Sequence, residues 1–175
     1  MIRGGFIKAI GFLLDSGVKV HMLYGDRDFF CNWVGGEKVS LAVPYSRSHD
    51  FARAGYSPFV THLGIGGMTR QLGNFSFTRV FQAGHEVPAY QPVVAYEIFM
   101  RAMRNRDIAT GKLPVTDNLS TVGPRDTWFI KNTPPEKPKP RCYILRPLSC
   151  PPEIWRAVVK GTAEVKDWFV MEDNW

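Results

Sequence analysis

The sequence predicts an α/β fold in which helices pack on a mixed, mostly parallel sheet. The first observation is a helically spaced apolar segment at residues 2–16, followed by a short apolar, partly β-branched run at residues 18–24. The second is an alternating segment at residues 74–82 that ends in a Gly-containing turn before an amphipathic stretch at residues 93–104. Helices that alternate with strands in this way are typical of α/β architectures.

The N-terminal segment predicts an amphipathic helix that ends near Gly17. Lys8 interrupts its apolar run, so the segment is not interpreted as a targeting sequence. Residues 18–24 follow as a buried strand, and a Gly-Asp-Arg-Asp turn comes directly after it. Residues 31–42 then predict a loop that leads into a helix.

Residues 44–70 contain Gly, Pro and Ser and are expected to form loops with short strands. The string GIGGMTRQLG lacks the glycine spacing of a nucleotide-binding loop, and we interpret it as a turn. Residues 74–82 predict a strand that runs into a turn at His85, and Pro92 lies near the first turn of the next helix.

The composition changes after residue 107, so we divide the chain into residues 1–112 and a tail of residues 113–175. The tail contains an extended Pro- and Lys-rich linker at residues 132–141. A short helix is expected at residues 153–160 and a strand at residues 164–171.

The net charge of +6 is spread along the chain and is not accompanied by a nucleic-acid-binding motif, so no nucleic-acid partner is predicted. No apolar run reaches the roughly 18 residues of a membrane span, so no membrane partner is predicted. His21, His49, His62 and His85 do not have metal-ligand spacing, and neither a metal site nor a cofactor is predicted.

Three cysteines and two sequons bear on the compartment of the protein. The simplest pairing is one local disulfide between Cys142 and Cys150, which leaves Cys31 as a free thiol. The alternative is three free thiols. The tripeptides that begin at Asn74 and Asn118 match the N-glycosylation pattern and favour secretion.

An Asp on one strand-end turn and a His on a later one indicate part of a hydrolase site. In α/β-hydrolases the triad runs Ser, Asp, His along the chain, and open α/β sheets place their sites at the carboxyl ends of strands. Asp28 and His85 fit this order. In such a triad the His accepts the proton of the Ser, and the Asp fixes the tautomer of the His.

Longer motifs surround both residues. The strings GDRDFFCNW at residues 25–33 and VFQAGHEVPAYQP at residues 80–92 resemble the serine carboxypeptidase family. GGE, GNFSFTRVF and DIATGK are most similar to fungal members, and the resemblance extends into the tail with Cys142 and Cys150. It implies the C-terminal part of an α/β-hydrolase fold, incomplete, with residues 1–112 as the end of the catalytic domain.

The resemblance also implies roles for individual residues. Asp28 and His85 match the triad Asp and His, and Cys31 matches a free thiol near the substrate pocket. Asn32 is expected to shape the site, and Glu86 to lie near the pocket of the leaving residue. For Asp28 a turn cap is the alternative, and for Cys31 a small buried hydrophobic role is the alternative.

The neighbouring Asp26 is interpreted as a turn cap without a catalytic role. No Gly-x-Ser-x-Gly string occurs in the 175 residues, whereas family members carry the nucleophile on such a turn upstream of the Asp. A fragment or a truncated gene model is therefore expected. The resemblance implies a secreted or vacuolar enzyme, although no signal peptide is recognised in the chain.

The function predicted from these residues is a serine-type carboxypeptidase. Such an enzyme releases C-terminal amino acids from peptide substrates through an acyl-enzyme. The isolated chain is expected to be inactive because the nucleophile is missing. The alternatives are a non-catalytic remnant or binding module, and another α/β-hydrolase such as an acyltransferase.

Overall fold

The computed structural model describes residues 5–131, 142–166 and 168–171. The chain divides into two compact units, Met1–Thr133 and Pro134–Trp175. This division lies later in the chain than the boundary expected after residue 112. The Pro-rich linker predicted at residues 132–141 lies outside the described residues.

The first unit is built on a four-stranded mixed sheet in the order β1-β4-β3-β2. Its strands are β1 (Val20–Gly25), β2 (Tyr56–Thr61), β3 (Gly64–Leu72) and β4 (Phe75–Val80). Strands β1 and β4 are parallel, whereas β3 runs antiparallel to both β4 and β2. The sheet is mixed, as predicted, but the expectation of a mostly parallel sheet is wrong for the described residues.

This difference comes from the β2–β3 hairpin. A short strand was expected within residues 44–70 and β2 lies there, but the turn predicted at GIGGMTRQLG is strand β3. Gly64 and Gly73 at the ends of this string have positive φ, whereas Gly66 and Gly67 inside β3 allow close approach of neighbouring parts of the chain. A Cβ atom at Gly67 would collide with the backbone carbonyl oxygen of Arg79 on β4, and one at Gly66 would collide with the side chain of Val94. Glycine inside a strand often marks such a contact.

Helices cover both faces of the sheet. The helices predicted near residues 2–16, 31–42 and 93–104 are present. The helices of the first unit are α1 (Phe6–Asp15), α2 (Trp33–Leu41), α3 (Ser48–Arg53), α4 (Val87–Tyr90) and α5 (Pro92–Met103).

Strand β4 is buried along its whole length. Its alternation sends Phe75 and Phe77 into one core cluster, with Leu14 of α1 and Phe51 of α3. Val80 enters a second cluster that includes residues of α5. Strand β1, predicted to be buried, is half-exposed and lies at the edge of this sheet.

The second unit contains a 3₁₀ turn, one helix and a short hairpin. Its elements are Pro147–Ser149, α6 (Pro152–Val159), β5 (Val165–Lys166) and β6 (Phe169–Val170). The strand predicted at residues 164–171 is two short antiparallel strands, because Trp168 adopts a left-handed φ of 69° between them. A disulfide joins Cys142 and Cys150. Among the described helices of either unit, none is long and apolar enough to cross a membrane.

A buried arginine ties α5 to the sheet. Arg101 donates hydrogen bonds to the carbonyl oxygens of Ile108 at 2.8 Å and Val60 of β2 at 2.7 Å. Its guanidinium also lies 4.5 Å from the ring centroid of Phe59 and 3.3 Å from a carboxylate oxygen of Glu97. These contacts fix the helix that follows the His85 turn.

We expect Arg101→Ala to lower the free energy of unfolding by about 3 kcal/mol, because it leaves buried carbonyl oxygens without donors. Chemical denaturation followed by circular dichroism measures the loss. Arg104→Ala is the matched control, since Arg104 is exposed at the end of the same helix. Equal, small losses in both variants would contradict this role of Arg101.

Candidate active site

Two turns meet at the carboxyl ends of β1 and β4. Gly25 of β1 lies opposite Val80 of β4 in the parallel pair. The amide of Asp26 donates to the carbonyl of Val80, and the amide of Arg27 donates to the carbonyl of Ala83, both at 2.9 Å. A Cβ atom at Gly25 would collide with the carbonyl oxygen of Ala83, so the approach of the two turns requires glycine.

Asp28 and His85, which are far apart in sequence, are in contact across these turns. Nδ1 of His85 lies 2.8 Å from Oδ2 of Asp28. The other oxygen of Asp28 accepts hydrogen bonds from the backbone amides of Phe30 at 2.8 Å and Cys31 at 3.0 Å. The side chain of Asp28 is 6% exposed, whereas that of His85 is 58% exposed. The carboxylate is therefore held on three sides, and the imidazole faces outward.

Opposing effects set the charge of this pair. Burial raises the pKa of Asp28, but hydrogen bonds from His85 and from the amides of Cys31 and Phe30 outweigh it and bring the pKa below its ordinary value. The hydrogen bond to Asp28, and then its charge, raise the pKa of His85, with a smaller contribution from Glu86.

The ionised carboxylate also determines the tautomer of the histidine. A carboxylate accepts hydrogen bonds but has none to donate, so the proton between the two side chains belongs to Nδ1 of His85. The neutral imidazole consequently carries its lone pair on Nε2, which is the atom that acts as a general base in such pairs. The arrangement is that of a proton acceptor held in one tautomer.

Cys31 completes a small cluster of ligand-type atoms. Its exposed free thiol and the ligand atoms of Asp28 and His85 lie within 4.8 Å of one another. Carboxylate, thiolate and imidazole are all ligands that zinc accepts. In this cluster Nδ1 of His85 is engaged by Asp28, so the two side chains satisfy each other without an ion.

The other predicted site residues lie around this pair. Oδ1 of Asn32 accepts a hydrogen bond from the amide of Gly35 at 2.9 Å and thus caps α2. Glu86 is exposed at the start of α4. The ring of Phe30, 84% exposed, stands edge-on to His85 with 6.1 Å between centroids. Phe30 was not singled out from the sequence.

Sequence reasoning also missed Arg79, which lies behind the two turns. Its guanidinium donates to the carbonyls of Thr127 at 2.6 Å and Ile130 at 3.0 Å, and it stacks 4.1 Å from the ring centroid of Trp33. The alternation of β4 places Arg79 on the same face as the buried Phe77. A charge at a core position of a strand is the signal that indicates a buried partner.

The interpretation of Asp26 as a cap of its own turn is wrong. Its Oδ1 accepts a hydrogen bond from the backbone amide of Gln82 at 2.9 Å, on the turn after β4. Its Oδ2 lies 3.6 Å from the guanidinium of Arg79, and its side chain is 1% exposed. Asp26 therefore bridges the two turns.

The sequence profile of the serine carboxypeptidase family matches residues 2–105, which is more than half of the chain. The chain belongs to the serine carboxypeptidase family. This is a family of α/β-hydrolases, in agreement with the mixed α/β architecture described above.

Relatives of this serine carboxypeptidase segment come from fungi and plants. It is 50% identical over 169 residues to Carboxypeptidase S1 homolog A of Arthroderma otae, covering 95% of this chain and 26% of the relative. It is 48% identical over 168 residues to a Carboxypeptidase Y homolog of Arthroderma benhamiae, with coverage of 93% and 26%. Serine carboxypeptidase 3 of Triticum aestivum is 35% identical over 89 residues, with coverage of 51% and 18%. The chain thus spans about a quarter of the length of these fungal relatives.

We expect the pKa of His85 to lie above 6.5 and to fall towards that value in Asp28→Asn, because the carboxylate is the main cause of the rise. NMR titration of the histidine ring carbons measures both values. The stability that the pair contributes is full between the ordinary pKa values of the two groups, 3.8 for Asp28 and 6.5 for His85. It is lost as the pH rises through the raised pKa of His85 and as the pH falls through the lowered pKa of Asp28.

Asp50→Asn is the matched control, because Asp50 lies on α3 and pairs with the exposed Arg53, and the pKa of His85 in this variant is expected to equal that of the unchanged chain. A His85 pKa that does not respond to Asp28→Asn would contradict the electrostatic coupling of the pair.

Proposed function

We propose that this chain supplies the Asp and His of a serine carboxypeptidase triad, with Asp28 and His85 in those roles. The observation that carries the proposal is the 2.8 Å hydrogen bond between them, at the carboxyl ends of two adjacent parallel strands. Asp precedes His along the chain, which is the α/β-hydrolase order. Membership of the serine carboxypeptidase family supports the same reaction.

In the proposed reaction, Nε2 of His85 accepts the proton of a serine hydroxyl as that oxygen attacks the C-terminal peptide bond. The carboxylate of Asp28 stabilises the imidazolium that forms and keeps its orientation. The imidazolium then protonates the leaving amino acid, and water releases the acyl group from the serine. We place this serine outside the 175 residues, because they contain no Gly-x-Ser-x-Gly string.

Three neighbours are proposed to contact or shape the substrate site. The exposed thiol of Cys31 lies beside the pair, and Glu86 directly follows His85 on an exposed turn, so both are proposed to line the pocket of the leaving residue. Asn32 is proposed to act through its cap, which fixes the first turn of α2.

The parent enzyme is proposed to be secreted or vacuolar. The disulfide between Cys142 and Cys150 fits an oxidising compartment. Of the two sequons, Asn118 is exposed, whereas the side-chain nitrogen of Asn74 donates a hydrogen bond to the carbonyl of Gly17. Asn118 is therefore the better candidate for glycosylation.

A non-catalytic role is the second candidate function, and the missing Gly-x-Ser-x-Gly string is the observation that favours it. A remnant or binding module would keep the fold without turnover. Translation of the genomic DNA upstream of Met1 separates the two candidates. A Gly-x-Ser-x-Gly turn in frame supports the enzyme, and its absence supports the remnant.

A chimera tests the chemistry directly. We expect an enzyme in which this chain replaces the matching quarter of Carboxypeptidase S1 homolog A of Arthroderma otae to release C-terminal residues from a blocked dipeptide. Asp28→Asn is expected to lower kcat by a factor on the order of 10⁴, by analogy with the serine protease example of the same substitution, and His85→Ala is expected to abolish turnover.

Asp50→Asn serves as the matched control for the chimera, because Asp50 lies on α3 and pairs with the exposed Arg53. Its turnover should equal that of the unchanged chimera. Full activity of the Asp28 or His85 variant would refute both triad assignments.

A further inference from the structure

The carboxylate of Asp26 connects the turn that carries Asp28 with the turn that carries His85. Its Oδ1 accepts a hydrogen bond of 2.9 Å from the backbone amide of Gln82, which lies three residues before His85. Its side chain is 1% exposed, so water does not compete for this hydrogen bond. Arg79 in turn lies 3.6 Å from Oδ2 and is itself fixed by backbone carbonyls.

The residue held by this hydrogen bond has a strained backbone. Gln82 adopts a φ of 56°, in the left-handed region that side chains with a Cβ atom disfavour. In the described part of the chain, positive φ at a non-glycine residue otherwise occurs at Asn105 and Trp168. Such a conformation persists where the surroundings hold it, and these positions cluster at functional sites.

We infer that Asp26 is a positioning residue for the catalytic pair: by holding Gln82 in the left-handed conformation, it directs the following turn so that His85 reaches Asp28. This inference rests on the proposed function, which makes Asp28 and His85 that pair. Asp26 acts through Gln82 and does not touch the reacting atoms.

Two observations separate this role from simple support of the fold. The main-chain hydrogen bonds from Asp26 to Val80 and from Arg27 to Ala83 already join the two turns without a side chain. The carboxylate is also costly to bury, since desolvation is the largest effect on its pKa and raises it. What the side chain adds is the hydrogen bond at the strained residue, together with the ion pair to Arg79.

The test compares Asp26→Ala, Asp26→Asn, Gln82→Gly and the double variant Asp26→Ala/Gln82→Gly in the 175-residue chain, with the NMR titration of His85 as readout. In Asp26→Ala the turn relaxes, the hydrogen bond between His85 and Asp28 lengthens, and the pKa of His85 is expected to fall towards 6.5. Asn keeps an oxygen that accepts the Gln82 amide, so Asp26→Asn is expected to retain the raised pKa.

The glycine variants test the mechanism. Glycine adopts the left-handed region without strain, so the double variant is expected to recover the raised pKa that Asp26→Ala alone loses. The test also remains decisive if Asp26→Ala does not fold. The pKa of His85 in the double variant is then compared with that in Gln82→Gly, and the pKa in Asp26→Asn is compared with that in the unchanged chain.

A fall in Asp26→Asn as large as that in Asp26→Ala would assign the effect to charge and overturn the inference. An unchanged His85 pKa in Asp26→Ala, even with a lower melting temperature, would leave Asp26 as a structural residue and overturn it as well. Turnover of the chimera tests the proposed function separately. An inactive chimera with an Asp26-dependent pKa of His85 refutes the chemistry and retains the positioning.

Discussion

The parallel pairing of β1 with β4 is the constraint on which the candidate site depends. It sets Gly25 opposite Val80, so that both strands end at one edge of the sheet. Asp28 and His85 then meet and form their hydrogen bond. Because β4 is buried on both faces, the two core clusters hold its register against slippage. The geometry of the pair is thus a consequence of core packing.

The buried charges of Arg79 and Asp26 connect the two turns with other parts of the chain. Arg79 donates hydrogen bonds to backbone carbonyls of the segment that contains Thr127 and Ile130, and it forms an ion pair with Asp26. Its stacking on Trp33 brings the start of α2 into the same cluster. Parts of the chain that are remote in sequence therefore contact the same guanidinium behind the turns. A displacement of one of these parts consequently affects the others.

Local patterns made half of this arrangement predictable. The apolar run of β1, the alternation of β4 and the amphipathic spacing of α5 identified these elements, and the order of Asp28 before His85 indicated a hydrolase. The β2–β3 hairpin was missed because Gly66 and Gly67 serve a packing contact that the sequence does not reveal. The partner of Asp26 was missed for a similar reason, since a hydrogen bond between two distant turns leaves no periodic signal.

The acceptors of Arg79 also determine where the chain can be cut. A chain shortened to residue 112, the boundary that composition suggested, loses the carbonyl oxygens of Thr127 and Ile130. The guanidinium of Arg79 is then left without these two hydrogen-bond acceptors. A segment that keeps all these contacts of Arg79 therefore has to extend to Ile130. The hydrogen bonds that hold the Asp28 carboxylate come from the two turns themselves. Transfer of the site to another hydrolase nevertheless requires the segment through Ile130, because that segment holds Arg79 behind the turns.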